Sequence, residues 1–239
     1  MKRKINPQLI EEQALVPVHY EKEVTSTNEI AKRYEQDILV VTSKQTEGKG
    51  THNRSFISPK DKGIYMSLNV SFIDPKYEKY ITPLVSVITS LAIDKYISKE
   101  TKIKWINDIY LNGKKICGIL VEKGLLYTIG IGINLYKHKF KILNASSIEN
   151  ELKIKVDINH LIINIVNDLY ELFNNLDDEI LREYIDIYKD KSNLINRTIK
   201  FSDGSIYKVI DINDLCHLIV QNNEETKELE TALEFQIIE

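Results

Sequence analysis

The chain of 239 residues has little that could act as a covalent or metal staple. Its two cysteines, Cys117 and Cys216, lie far apart and outside any C-x-x-C, so they offer no disulfide framework and no zinc signature. Both are expected as small buried hydrophobes. With only 9 Gly and 5 Pro, there is no collagen-like or low-complexity stretch. No apolar run reaches the 18 or more residues of a membrane span, and the longest, around Leu161 to Val166, is interrupted by Asn164. The N-terminal MKRK leads into INPQLIEEQ instead of the apolar core of a secretory signal. Neither charge sign dominates: 32 Lys+Arg face 35 Asp+Glu, a net charge of -3, which excludes the basic field of a general nucleic-acid binder. These absences lead to the expectation of a cytoplasmic protein with no membrane partner. Hydrolase and metalloprotease signatures are missing as well. There is no G-x-S-x-G or H-E-x-x-H, and the five histidines are scattered. GKGT at 48–51 is not a P-loop, because Ser43 and Gly50 stand where that motif needs Gly and Ser or Thr.

What is present, 43% hydrophobic and 28% charged residues, is ordinary globular composition, enough for one large domain or a large and a small one. VHYEKEVTSTNEIAKRYEQ reads as a strand followed by a helix capped by Ser26 or Thr27. ILVVTSK, 38–44, reads as a buried strand. From Gln45 to Lys62 periodicity stops, and a long exposed loop of functional length is expected. Gly63 to Phe72 alternates, with Tyr65, Ser67, Asn69 and Ser71 on one face. Ile81, Leu84, Val85, Ile88, Leu91 and Ala92 form one helical stripe. Asn112-Gly113 lies between β-rich runs and, with a second turn near Lys123-Gly124, predicts a three-stranded meander over 102–135. Asp157 caps a helix, and 178–191 forms another. From about Asn196 short strands separated by Asp203-Gly204 and Asn213-Asp214 predict a small β-barrel appendage. The fold class is α+β.

Several residues could carry chemistry. Gly48 and Gly50 permit close backbone approach, and Lys49, Arg54, Lys60 and Lys62 could meet phosphate or carboxylate, although such loops are often plain solvated turns. Lys104 precedes Trp105 in the meander's first strand, where alternation places it with Ile106 and Asp108; alone, it also fits a lysine snorkelling at an edge. Gly130 and Gly132 weaken a strand unless something approaches its backbone, or they mark a bulge. Asn134 is either a reader of an amide or adenine edge or a strand-end residue.

Taken in order, these pieces resemble the biotin protein ligases. The matching segments are Ser26-Thr27-Asn28, Gln45 with Gly48-Lys49-Gly50, Arg54 and Ser58-Pro59, KWINDIYLNGKKICGILVE from Lys104 to Glu122, and GIGIN from Gly130 to Asn134. The chain departs from that family in its loop, which reads GKGTHNR then Ser55 and Phe56 where the family has G-R-G-R-x-G-R, a residue and Trp. It also has Ile106 for the Pro of KWPND.

The resemblance implies a catalytic domain over 1–192, with a mixed or antiparallel central sheet and helices, and a small SH3-like β-barrel over 193–239. It implies activation of biotin by ATP and Mg2+ to biotinyl-5'-AMP, then transfer to a lysine of a biotin carboxyl carrier protein. Ser26, Thr27, Asn28 and Gln45 would bind the biotin head group, with Gly48, Lys49, Gly50 and Thr51 closing over it and Gly130 and Gly132 giving backbone access. Lys104 would be the catalytic cation. Arg54 would contact phosphate, Phe56 would pack near adenine and Asn134 would read adenine; the metal ligands are unassigned. Fewer than 20 residues precede Val18, too few for the winged helix of the repressor relatives, so no DNA partner is expected, while a homodimer is compatible with the family. Two alternatives stay open: a regulatory biotin-binding homologue without turnover, and a lipoate or octanoate ligase.

Overall fold

The structure is a computed structural model and describes residues 4–140, 144–231 and 235–238. Seven strands make one mixed sheet: β1 (Val18–Glu21), β2 (Ile38–Thr42), β3 (Gly63–Val70), β4 (Lys102–Lys104), β5 (Asp108–Leu111), β6 (Lys114–Lys123) and β7 (Tyr127–Asn134). Their spatial order is β1-β2-β3-β7-β6-β5-β4. Only β1 and β2 are parallel, and all other neighbours are antiparallel. The helices are α1 (Pro7–Gln13), α2 (Thr27–Ala31), α3 (Ile81–Asp94), α4 (Ile148–Leu152), α5 (Ile158–Asn175) and α6 (Asp178–Asp190). A parallel strand pair needs a crossover, and α2 lies in the one joining β1 to β2.

Strand alternation divides the interior in two. Leu39 and Val41 of β2, Ile64, Met66 and Leu68 of β3, and Ile129, Ile131 and Ile133 of β7 point into the main core beneath α3 and α5. Ile38 and Val40 point the other way and meet Ile30 and Ala31 of α2. This explains a departure from simple alternation: Ser67 and Asn69 share a face as expected, yet both are fully buried, because α2 covers that face. They are satisfied there, Asn69 Nδ2 donating to Ala31 O at 2.7 Å. α3 is likewise buried nearly all round instead of along one stripe, since α5 and α6 pack on its outer side. The Asp157 carboxylate caps α5, accepting from Asn159 N at 3.0 Å.

The meander needs correcting at its start. The Asn112-Gly113 hairpin is present, both residues at positive φ. But residues 102–111 are not one strand, because the chain turns at Trp105 to Asn107 into the short hairpin β4-β5. Lys104 and Asp108 are therefore directly opposed cross-strand partners, not alternate residues of one strand. Helix α1 was not foreseen, although Asn6 at its N-cap and Pro7 in its first turn are ordinary start signals.

The C-terminal strands β8 (Thr198–Phe201), β9 (Ile206–Ile212), β10 (Leu218–Gln221), β11 (Thr226–Leu229) and β12 (Phe235–Ile237) form a second, antiparallel sheet in the order β11-β10-β9-β8-β12. Among the described residues no pairing joins β11 to β12. Ile199, Val209, Ile212 and Leu218 belong to the same buried cluster as the large sheet. Both cysteines are buried and free. No helix among the described residues is long and apolar enough to cross a membrane.

Candidate active site

The register of the large sheet lines up one row of residues across it: Lys104 on β4, Asp108 on β5, Gly118 on β6, Gly132 on β7, Tyr65 on β3 and Thr42 on β2, each directly opposite the next. Directly opposed residues project to the same face. Two neighbouring glycines thus leave a bare patch of backbone in mid-sheet, with charged side chains at one end and the Tyr65 ring at the other. The next row carries Leu120, Gly130 and Ser67.

The loop that follows β2 closes over this floor. It folds back on itself, with Phe56 N donating to Gly48 O at 2.7 Å, Gly50 N to Arg54 O at 2.7 Å and Gln45 N to Ser58 O at 3.3 Å. Residues 51–53 form its turn. The fold of this long loop is invisible to hydrophobic periodicity, because its order rests on main-chain bonds and one aromatic anchor. That anchor is Phe56. A methyl group at Gly132 would lie 2.5 Å from Phe56 Cε1, and one at Gly118 would lie 3.3 Å from Phe56 Cε2, so the ring sits on the bare patch. Tyr65 meets it edge-on, with ring centroids 6.5 Å apart.

A polar chain backs the floor. The Gln45 amide oxygen accepts from Thr27 N at 2.8 Å and Thr27 Oγ1 at 3.1 Å, while its Nε2 donates to Ser58 Oγ at 2.8 Å. Ser67 Oγ lies 2.7 Å from Thr27 Oγ1 and 2.6 Å from Asn28 Oδ1 and donates to one of them. Asn28 Nδ2 donates to Glu122 at 2.7 Å, which fixes the sense of the amide. Burial alone would raise the Glu122 carboxyl, but the Lys32 ammonium and the Asn28 amide hold it below its ordinary value. Lys32 also reaches Glu29, and Glu29 binds Lys49 of the loop at 2.6 Å, which lowers the Glu29 carboxyl. The loop is thereby tied to α2.

At the charged end, Lys115 pairs with Asp108 at 2.6 Å, and its Cε and Nζ lie over Gly118. Lys104 is half-buried and has no ion pair or hydrogen bond among the described residues. Burial lowers its ammonium below the ordinary lysine value, Asp108 opposes this, and the like charges of Lys115 and Arg54 add to it. Arg54 is exposed and its Nε donates to Thr51 O at 3.4 Å. Asn134, two residues beyond Gly132 on the same face, is 6% exposed, and among the described residues its Oδ1 has no hydrogen-bond partner.

Ser26, Thr27, Asn28, Gln45, Lys49, Gly50, Thr51, Phe56, Gly130 and Gly132 thus line one cavity of about 40 Å³. Lys104 joins its row through Asp108, Asn134 shares its face, Arg54 stands at the loop turn, and Gly48 lies behind the loop against Gln45 and Ser58. Gln45 and Asn28 are already bonded within the backing chain. Eight further lining residues were not singled out from the sequence, among them Asn107, Asp108, Lys115 and Gly118. Gly118 could have been found by the argument used for Gly130 and Gly132, a glycine inside an apolar strand.

Residues 20–134 match the model of the Biotin/lipoate A/B protein ligase family. The matched segment spans 115 of the 239 residues. It holds every cavity-lining residue named above. The bifunctional ligase/repressor BirA of Bacillus subtilis is 34% identical over 114 residues, covering 43% of this chain and 34% of that protein. The Escherichia coli protein of the same name is 26% identical over 170 residues, covering 67% and 53%. The matched stretches thus span about a third and a half of these curated relatives. A biotin protein ligase from Aquifex aeolicus, solved in complex with biotin and ATP, shares the fold with a TM-score of 0.80 at 21% identity, over 93% of this chain and 98% of that one.

Proposed function

We propose that this protein activates biotin with ATP to biotinyl-5'-AMP and pyrophosphate, and then transfers the biotinyl group to a lysine of a biotin carboxyl carrier protein. The observation that carries the proposal is the bare Gly118–Gly132 floor, whose row continues through Asp108, ion-paired with Lys115, to Lys104. A flat apolar ring system can lie on exposed backbone only where no Cβ intervenes, and a carboxylate at its end meets a cation. The cavity is far smaller than the ~300 Å³ at the low end of small-molecule sites, so the 45–58 loop withdraws Phe56 to admit ligand and closes again over it. Ser26, Thr27, Asn28 and Gln45 line the head-group end, while Gly48 to Thr51 form the closing segment.

In the first half-reaction the biotin carboxylate oxygen attacks the α-phosphorus, a P–O bond forms, and the bond to pyrophosphate breaks. Negative charge accumulates between the two reactants, and the role of Lys104 is to meet it. An ammonium already raised in free energy by burial and by like charges gains most when an anion arrives. Arg54 serves the phosphates. The unpartnered Asn134 Oδ1 is a buried acceptor of the kind an adenine amino group satisfies. Mg2+ suits a nucleotide site with one carboxylate, and Asp108 is the carboxylate lining this cavity; the ion would neutralise phosphate charge. The carrier lysine then attacks the acyl carbon and AMP leaves, so no enzyme nucleophile is required. We further propose that residues 193–239 act as an accessory domain of this reaction.

The test is phosphate release from biotin and MgATP in the presence of pyrophosphatase, with lipoate and octanoate as alternative acids. Turnover with biotin alone is expected, and Lys104→Ala should lose about 10²- to 10³-fold in rate. Preference for lipoate or octanoate would move the protein to the other branch of its family, and an Ala variant of undiminished rate would remove Lys104 from the chemistry.

A further inference from the structure

The segment that carries Lys104 is held by residues outside the matched 20–134 segment. Ile103 N donates to Lys191 O at 2.7 Å, and Asn193 N donates to Ile103 O at 3.0 Å. Trp105 Nε1 donates to Cys216 O at 2.8 Å, and Tyr188 Oη donates to Ile106 O at 3.1 Å. Every residue flanking Lys104 is thus fastened to α6, to the segment after it or to the C-terminal sheet. Lys104 itself is touched by the same sheet, since its Nζ lies 5.1 Å from the centroid of the Phe235 ring on β12. The ring in turn is braced edge-on by Phe201, its cross-strand partner, with centroids 6.0 Å apart, and Phe201 meets Tyr207 at 5.7 Å. The ring therefore faces the ammonium from a buttressed row of aromatics.

From this geometry we infer that Phe235 is a positioning residue for Lys104, holding the ammonium through the face of its ring and so making the C-terminal sheet part of the adenylation site. The inference rests on the proposed role of Lys104. A carboxylate in the same place would hold the lysine more tightly, but it would compete with the biotin carboxylate and the phosphate for the ammonium's charge. An aromatic face stabilises and orients a cation without cancelling it, and the attraction grows when the cation is partly desolvated. Lys104 meets that condition. Among the described residues its surroundings hold two more cations, Lys115 on β6 and Arg54 on the loop, and one anion, Asp108 on β5, which Lys115 already engages.

The test replaces Phe235 by mono-, di- and trifluorophenylalanine, which weaken the ring's negative face at nearly constant shape, and by Leu, which removes it. Two readouts are taken on the full chain. The first is the titration midpoint of Lys104, from competitive acetylation across pH followed by mass spectrometry. The second is the rate of adenylate formation. The midpoint should fall stepwise with fluorination and furthest in Phe235→Leu. Adenylation should fall in parallel, on the order of three- to tenfold for the trifluoro ring, at unchanged melting temperature. A midpoint and rate that ignore fluorination overturn the inference, and a loss confined to Phe235→Leu shows packing only and overturns it too. A stepwise midpoint together with a fully active Lys104→Ala would leave the pairing standing and remove the assigned role of Lys104 instead.

Discussion

Gly130 and Gly132 lie two residues apart on one strand and face the same way, yet an added methyl group should have opposite consequences at the two positions. At Gly130 the new Cβ would overlap the amide oxygen of Asn28. That amide cannot turn aside, because Nδ2 is bonded to the Glu122 carboxylate and Oδ1 lies against Ser67. Displacing it breaks one charge-assisted hydrogen bond, worth about 1.5–3 kcal/mol, and one neutral bond, worth about 1 kcal/mol. Replacing glycine in a strand returns roughly 0.5–1 kcal/mol through the unfolded chain. Gly130→Ala should therefore cost about 1.5–3.5 kcal/mol, a fall in melting temperature on the order of 5–10 °C for a chain of this size. At Gly132 the obstacle is the tip of Phe56, 2.5 to 3.0 Å away, on a loop that can lift. There the conformational gain offsets the shift, and stability should change by less than about 1 kcal/mol. The methyl then occupies the floor, so biotin binding and the thermal shift that accompanies it should disappear. Thermal or urea unfolding of both variants, with and without biotin, distinguishes the cases. Equal destabilisation at the two positions, or a Gly132→Ala protein that still binds biotin normally, would refute the assignment of one glycine to the backing chain and the other to the floor.

Thr51 stands where the family loop carries its second arginine and lines the cavity, so Thr51→Arg should slow release of labelled biotinyl-adenylate about ten- to a hundredfold in rapid-filtration assays; equal off-rates would mean that Lys49 or Arg54 already makes the contact. The Glu29 carboxyl is held below its ordinary value of 4.5 by Lys49 and Lys32, so its contribution to loop closure is complete above that value and is lost as the pH falls through the lowered one. Limited proteolysis of the 45–58 loop should accelerate in that acid window, and Glu29→Gln should show the faster cleavage already at neutral pH; a loop equally resistant in both proteins would dismiss the tie.

How much could be read without coordinates depended on which force shapes each part. The hairpin at Asn112-Gly113 and helix α5 behind Asp157 follow from local chemistry and were legible. So were most of the cavity's residues, although through resemblance and not through pattern. The turn at Trp105 to Asn107 was not, since KIKWINDIY alternates acceptably as one strand and only tertiary hydrogen bonds to α6 and the C-terminal sheet break it. The same limit applies to Ser67 and Asn69: a polar face of a strand normally means solvent, and what buries it here is α2, a helix of only five residues. Lys115 escaped notice because a lysine beside a hairpin turn is ordinary until the ladder places its ammonium end over Gly118.

The single row that runs from Lys104 to Tyr65 also bears on how the protein can fail. Side chains in a ladder change face with every residue, so a one-residue slip between β6 and β7 would turn Gly118 or Gly132 toward the core and push Ile119, Ile131 or Ile133 outward. No misregistered form could keep its packing and merely lose the bare floor. A molecule of that kind would also be a sticky one, open to proteases and chaperones, so cellular surveillance of folding would remove the same species that lacks the floor. In this sheet the floor and foldedness are inherited together, and a population that survives quality control should carry the floor uniformly.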